Sequence, residues 1–192
     1  MATPVDDFKA AVTDDDVTGA AAALQHADAR EQIDAGIFPY GRPALLEANS
    51  VGMVELLLSE GASAEALTEF LESGFWVDEV DRAVAERVIE AGARPSIHSA
   101  AAFGLADTVL EMLEADASLV AAKGGDGGTP LHFARTVEVA ELLIDAGADL
   151  DARDDDHNST PAQWRVKVSP DVSRFVLTRG ALPDVFLAAL GG

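Results

Sequence analysis

Five strings in this chain share one form, and their recurrence restricts the fold more than any other feature. They are Leu56-Leu-Leu-Ser-Glu-Gly61-Ala62, Arg87-Val-Ile-Glu-Ala-Gly92-Ala93, Glu111-Met-Leu-Glu-Ala-Asp116-Ala117, Leu142-Leu-Ile-Asp-Ala-Gly147-Ala148 and Phe175-Val-Leu-Thr-Arg-Gly180-Ala181. In each, an apolar pair or triplet faces inward and one or two polar residues follow. A Gly then ends the helix, because Gly takes the left-handed C-terminal position at least cost. Asp116 stands in that place once, as the next most tolerant kind of residue. The alanines at 62, 93, 117, 148 and 181 are separated by 31, 24, 31 and 33 residues. A period of about 30 residues marks stacked helical units, each burying its apolar face on its neighbours. The expected class is an all-α helical repeat solenoid of stacked helix-turn-helix units. Such chains work by presenting a surface, so the functional question becomes which partner is bound.

The helix that opens each unit carries its own signal. Thr129-Pro130 and Thr160-Pro161 place Thr at the N-cap, where its oxygen accepts an orphan N–H. Pro follows at the first helical position, where no N–H is needed. Thr3-Pro4 repeats this at the chain start, with Asp6 and Asp7 favourable at the positive helix end. Thr13-Asp14-Asp15-Asp16 and Ser169-Pro170-Asp171 read as further helix starts. Arg42-Pro43 and Arg94-Pro95 keep the Pro without the cap.

Thr129-Pro-Leu-His-Phe-Ala134 resembles the Thr-Pro-Leu-His-x-Ala signature of the ankyrin repeat. Gly147-Ala148-Asp149 and the Asp154-to-Ser159 turn resemble the rest of that unit. Pro95-Ser-Ile-His98 and Thr160-Pro-Ala-Gln163 are worn copies. The resemblance is strong over 94–182, moderate over 38–65 and weak over 5–36 and 66–93. It implies a single repeat domain over 1–192, with five to six units near 4–36, 37–65, 66–93, 94–126, 127–157 and 158–182. A half-repeat at 183–192 would either cap the stack or lead into a longer protein. Thr129, Pro130, His132, His98, Thr160, Pro161, Gly61, Gly92, Gly147 and Gly180 then become structural signature residues. The two histidines would be struts and not catalytic groups. From Thr129 to Gly147 is 18 residues, fewer than the repeat normally spends, so the joint between the two helices is trimmed. Gly74 to Asp78 reads as an irregular connection.

Composition bounds the function. There are 34 acidic and 13 basic residues, for a formal charge of −21. That charge repels phosphate backbones and anionic lipid, so neither nucleic acid nor membrane is an expected partner. Acidity with few lysines also fits a high-salt cytoplasm, or simply a solvated acidic surface. The chain has no cysteine, which removes disulfides, thiol catalysis and cysteine-held zinc. No apolar run is long enough to span a bilayer and the N-terminus has no secretory pattern. The expectation is a cytoplasmic monomer without a cofactor.

No catalytic constellation is found: Gly-x-Ser-x-Gly, His-Glu-x-x-His and phosphate-loop patterns are all missing. The chain is therefore not expected to be an enzyme. Asp151-Ala-Arg153-Asp154-Asp155-Asp156-His157-Asn158 is the densest polar cluster. It suits partner contact on a projecting loop, a solvated turn or, as an alternative, a metal site. The run from Lys123 to Thr129 reads as a flexible Gly-rich turn. Ser99, Phe133 and Trp164 share the slot after the signature His or Gln, which faces the groove in ankyrin-like stacks. Either these side chains anchor a partner or they pack between neighbouring helices. Phe38, Tyr40, Phe75 and Trp76 sit near connections with the same two options.

The combined reading is a protein–protein interaction module with a rigid, concave, acidic surface for a basic protein. Asp149, Asp151, Asp154 and Asp155 would steer that partner by long-range attraction. The alternative is the scaffold part of a larger protein or enzyme, or a metal-dependent activity at Asp154–His157.

Overall fold

The helix starts legible in the sequence set the architecture. The computed structural model describes residues 2–63, 68, 71–72, 82–124 and 126–183. Among these, the regular structure is helical, with one isolated antiparallel bridge between Phe38 and Arg42. Gly74–Asp78, with Phe75 and Trp76, and all but the first residue of the half-repeat at 183–192 lie outside the described residues. The chain divides into two compact units, residues 1–95 and 96–192.

In the first unit, α1 (Pro4–Thr13) starts at Thr3, which forms a reciprocal capping box with Asp6. Helix α2 (Val17–Ala23) starts at Asp16, whose carboxylate accepts the Gly19 N–H at 2.9 Å. A short α3 (Ala27–Arg30) follows and packs on α1. The sequence places the opening helix of the next unit after Pro43. The structure forms only a 3₁₀ turn, Ala44–Glu47, and Pro43 itself is the residue before it. No side chain caps that turn, so nothing extends it. Helix α4 (Val51–Ser59), capped by Ser50, packs on α2, and α5 (Arg82–Glu90) packs on α4. The apolar faces of these elements bury Phe8, Val12, Leu45, Met53, Leu57 and Val88.

In the second unit the helices form two rows. The inner row is α6 (Ile97–Ala102), α8 (Pro130–Phe133) and α10 (Pro161–Val168), with α8 touching both neighbours. The outer row is α7 (Ala106–Ala115), α9 (Val137–Asp145) and α11 (Pro170–Thr178). Phe103, Val109, Leu131, Val139, Leu143 and Val176 fill the space between rows. The shortening expected between Thr129 and Gly147 falls on α8 itself, which is four residues against eight in α10. Beside this foreshortened helix lies an open cavity of about 340 Å³, bordered by Arg135, Val137, Val168 and Pro170.

Gly61, Gly92, Gly147 and Gly180 have φ between 96° and 112° and end α4, α5, α9 and α11. Asp116 does not behave as a fifth member. Its φ is −150°, and its carboxylate accepts the Ser118 N–H to start a 3₁₀ turn over Ala117–Ala121. The side chain offers a local acceptor, so the chain turns through extended backbone instead of the left-handed region.

Candidate functional site

The signature residues build a frame, and the polar loop at 151–159 hangs on it. Thr129 is the N-cap of α8, and His132 is fully buried in its first turn. The Thr129 N–H donates to His132 Nδ1 at 3.0 Å, and the Thr129 hydroxyl lies 3.0 Å from the same nitrogen. Nε2 lies 3.1 Å from the Ser159 carbonyl oxygen. A carbonyl can only accept, so Nε2 carries the proton and the ring is neutral. Burial holds the His132 pKa below its ordinary value, against the opposing pull of the Ser159 carbonyl and the Asp154 and Asp126 charges. The ring thus ties the start of one inner helix to the loop before the next.

Gln163 performs the capping half of this job in α10: its Oε1 accepts the Thr160 N–H at 2.6 Å. His98 performs the other half, with Nε2 3.0 Å from the Ala122 carbonyl. Its helix is capped by Ser96, whose hydroxyl accepts the Ser99 N–H at 3.2 Å. The cap that Arg94-Pro95 lacked in the sequence is therefore present, one residue later than the Pro.

The Gly-rich run at 123–129 is tied down over its described residues. Gly124 N–H donates to Gly128 O at 2.9 Å, and Asp126 Oδ1 accepts the Gly128 N–H at 2.9 Å. Asp126 is buried, and its backbone carbonyl accepts the Asp155 N–H at 2.8 Å, joining this loop to the next. Lys123 Nζ adds an exposed ion pair with Asp155 at 3.2 Å. Sequence reasoning overlooked Asp126. The available signal was an Asp two residues before a Gly, which is the spacing of an Asx turn.

Asp154 is the main departure within the acidic cluster. Its side chain is fully buried, so it cannot act as a rim charge. The carboxylate accepts the His157 N–H at 2.6 Å, the Ser159 N–H at 2.8 Å and the Trp164 indole N–H at 2.9 Å. Burial opposes its ionisation, but these three donors outweigh it and hold the pKa below the ordinary carboxylate value. Its oxygens are thus engaged in shaping the loop. Among the described residues no group of three or more His, Cys, Asp or Glu side chains is placed to hold a metal ion.

A line of aromatic rings crosses the inner row. His98 meets Phe133 edge-on at 5.8 Å, Phe133 meets Trp164 at 5.7 Å, and Trp164 meets His157 edge-on at 5.8 Å. Phe133 is 2% exposed and Ser99 is 0% exposed, so neither is displayed to a partner. Phe133 is wedged between the rings on either side, and Ser99 Oγ donates to the Ser96 carbonyl at 3.0 Å. Of the candidate contact residues, Arg153, Asp155, Asp156 and His157 are exposed and Trp164 is half-buried. Arg153 donates to the Asn158 carbonyl at 2.5 Å, stiffening the loop from outside.

The Thr-Pro-capped inner helix, its buried His strut and the paired outer helix describe one known unit. A family model for the ankyrin repeat matches residues 126–155. The chain carries an ankyrin repeat and shares the fold of ankyrin repeat domains. Its fold is similar to a chain from the complex of Bd0816, a predatory endopeptidase from Bdellovibrio bacteriovorus, with the immunity protein Bd3460. That match has 21% identity and a TM-score of 0.58, and covers 90% of this chain and 97% of that one. It is also similar to the ankyrin repeat domain of human ASB11, with 25% identity and a TM-score of 0.52, over 92% of this chain and 84% of that one. No curated protein matches by sequence. Ankyrin repeats generally mediate protein–protein interaction, and the fold is typically non-catalytic. No helix among the described residues is long and apolar enough to cross a membrane.

Proposed function

We propose that this protein binds a basic protein through the 151–159 loop and the adjacent Trp164 edge. The observation that carries the reading is the division of labour within the acidic cluster. Asp154 is consumed in holding the loop and the indole in place. Asp155, Asp156 and His157 are thereby left exposed beside a half-buried Trp164 whose position is fixed. A preorganised aromatic edge loses little entropy when a partner covers it. The net charge of −21 favours a partner of opposite sign and speeds encounter with it. The similar Bdellovibrio structure is itself a protein–protein complex, which fits a holding role for this fold. The reading keeps the chain as one repeat domain, a cytoplasmic monomer that binds through a concave acidic surface and does not catalyse. The same surface would serve as the scaffold part of a larger protein.

Capture from native lysate at matched ionic strength tests this. Trp164→Ala should weaken retention of the captured protein by about tenfold or more, with unchanged circular dichroism. Retention equal to wild type would place the binding face elsewhere.

A further inference from the structure

The open cavity of about 340 Å³ lies between two successive joints of the second unit. On one side Arg135-Thr136 leads from α8 into α9; on the other, Ser169 leads from α10 into α11. Both outer helices therefore begin at the cavity, each with the positive end of its dipole. The two starts differ in their caps. Thr136 caps α9, its hydroxyl accepting the Val139 N–H at 3.2 Å. Ser169 is of an equally suitable residue type, yet no side-chain bond caps α11.

A second duty of Ser169 explains the difference. Its N–H also closes the end of α10, donating to the Arg165 carbonyl at 2.8 Å. Its backbone sits at φ −139° and ψ 70°, whereas Thr129 and Thr160 cap their helices at ψ 165° and 163°. With that twist the Ser169 hydroxyl does not reach the first N–H groups of α11. The residue is 9% exposed and lines the cavity, and its hydroxyl has no hydrogen-bond partner among the described residues. A hydroxyl so placed is completed by whatever occupies the cavity.

The walls narrow the kind of occupant. Val137 and Val168 are 36% and 43% exposed, and both border the cavity beside Pro170. Arg135 adds positive charge at the rim. Asp171, ion-paired with Arg174 at 2.8 Å, stands at the same rim and opposes a second negative charge. We propose that the cavity binds a small monocarboxylate with a short, branched apolar body. Its carboxylate accepts from the Ser169 hydroxyl and the first N–H groups of α11, and its apolar body covers Val137 and Val168. The cavity lies at the C-terminal end of α10, whereas the 151–159 loop precedes its N-terminal end. The inference is thus independent of the protein-binding reading, and either can fail alone.

The test titrates the full chain with isovalerate at constant ionic strength and follows backbone N–H resonances by NMR. Saturable shifts are expected at Ser169, Asp171 and Val172, with a Kd of about millimolar order for so small a probe. Isovaleramide keeps the shape without the charge and should bind about tenfold more weakly. Acetate keeps the charge without the apolar body and should also lose about tenfold. Ser169→Ala should melt like wild type, since its hydroxyl bonds nothing in the chain, yet bind isovalerate about tenfold more weakly. Val168→Glu, at an exposed wall position, should weaken binding at least as much. The proposal is overturned if no saturable shift occurs at these groups, if isovaleramide or acetate binds as well, or if either variant binds like wild type. Inorganic phosphate shifting the same groups as strongly overturns it too, because the site would then select charge alone. Should Ser169→Ala fail to fold, Val168→Glu and the wild-type series decide the matter.

Discussion

The two units solve the same local problem with different chemistry. In residues 96–183 the turns before the inner helices are held by buried polar groups: His98 to Ala122, His132 to Ser159, and Asp154 to its three N–H donors. In the first unit, the turn at 36–43 is held by a buried Phe38, a close Gly36–Gly41 contact and a folded-back Arg42. Where the polar strut is present, a capped helix follows, as α10 follows Ser159. Where it is missing, only the 3₁₀ turn at Ala44–Glu47 follows. The signature His therefore specifies how one unit is joined to the next as well as where its own helix begins.

The largest expected effect comes from cutting that joint. His132→Ala leaves the Thr129 N–H and the Ser159 carbonyl without their partner and opens a cavity, at about 3–4 kcal/mol. His98→Ala should cost about half as much, since Ser96 caps that helix without it. Urea unfolding of both variants checks the ratio, and equal losses would mean that the two rings do the same work. Asp154→Ala should cost about 2–3 kcal/mol and free the Trp164 indole, read as a change in its fluorescence in a Trp76→Phe background.

Acid should act on the same joint in two stages. The folded His132 pKa lies below its ordinary 6.5, so the unfolded chain takes up that proton first as pH falls. The contribution of neutral His132 is complete above about pH 6.5 and is lost on acidification from there toward the folded pKa. Asp154, with its pKa below the ordinary 3.8, gives a contribution that is complete above that value and is lost as pH falls through the folded pKa. Stability measured from pH 8 to pH 5 should decline in the wild type and decline less in His132→Gln. Parallel slopes would remove His132 as the cause. The smallest effect belongs to the first unit. Arg42→Ala removes a partly exposed clamp, for about 1 kcal/mol, and hydrogen exchange should quicken over 36–47 only.

Much of this was legible in the sequence because caps and helix stops are local. Thr129-Pro130, Thr160-Pro161 and the glycines at 61, 92, 147 and 180 act within one turn of their own position. What was hidden depends on partners far along the chain. One acid among 34 gives no sign that it is buried, so Asp154 looked like its exposed neighbours Asp155 and Asp156. The slot after the signature His falls on the inner row. Its burial at Ser99 and Phe133 comes from ring packing between repeats, which no single repeat reveals. The failure to propagate a helix after Pro43 is likewise visible only through the missing cap and strut.

We propose that recognition belongs to the exposed acids beside Trp164, while the buried members of the cluster build the frame. Asp155→Lys combined with Asp156→Lys separates the two, because surface reversals at these exposed positions should leave stability within about 0.5 kcal/mol of wild type. Titration of the captured protein across ionic strengths is the deciding measurement. The account predicts weaker binding by the reversed chain at low salt, with the gap closing as salt rises. Equal affinities at low salt would contradict it.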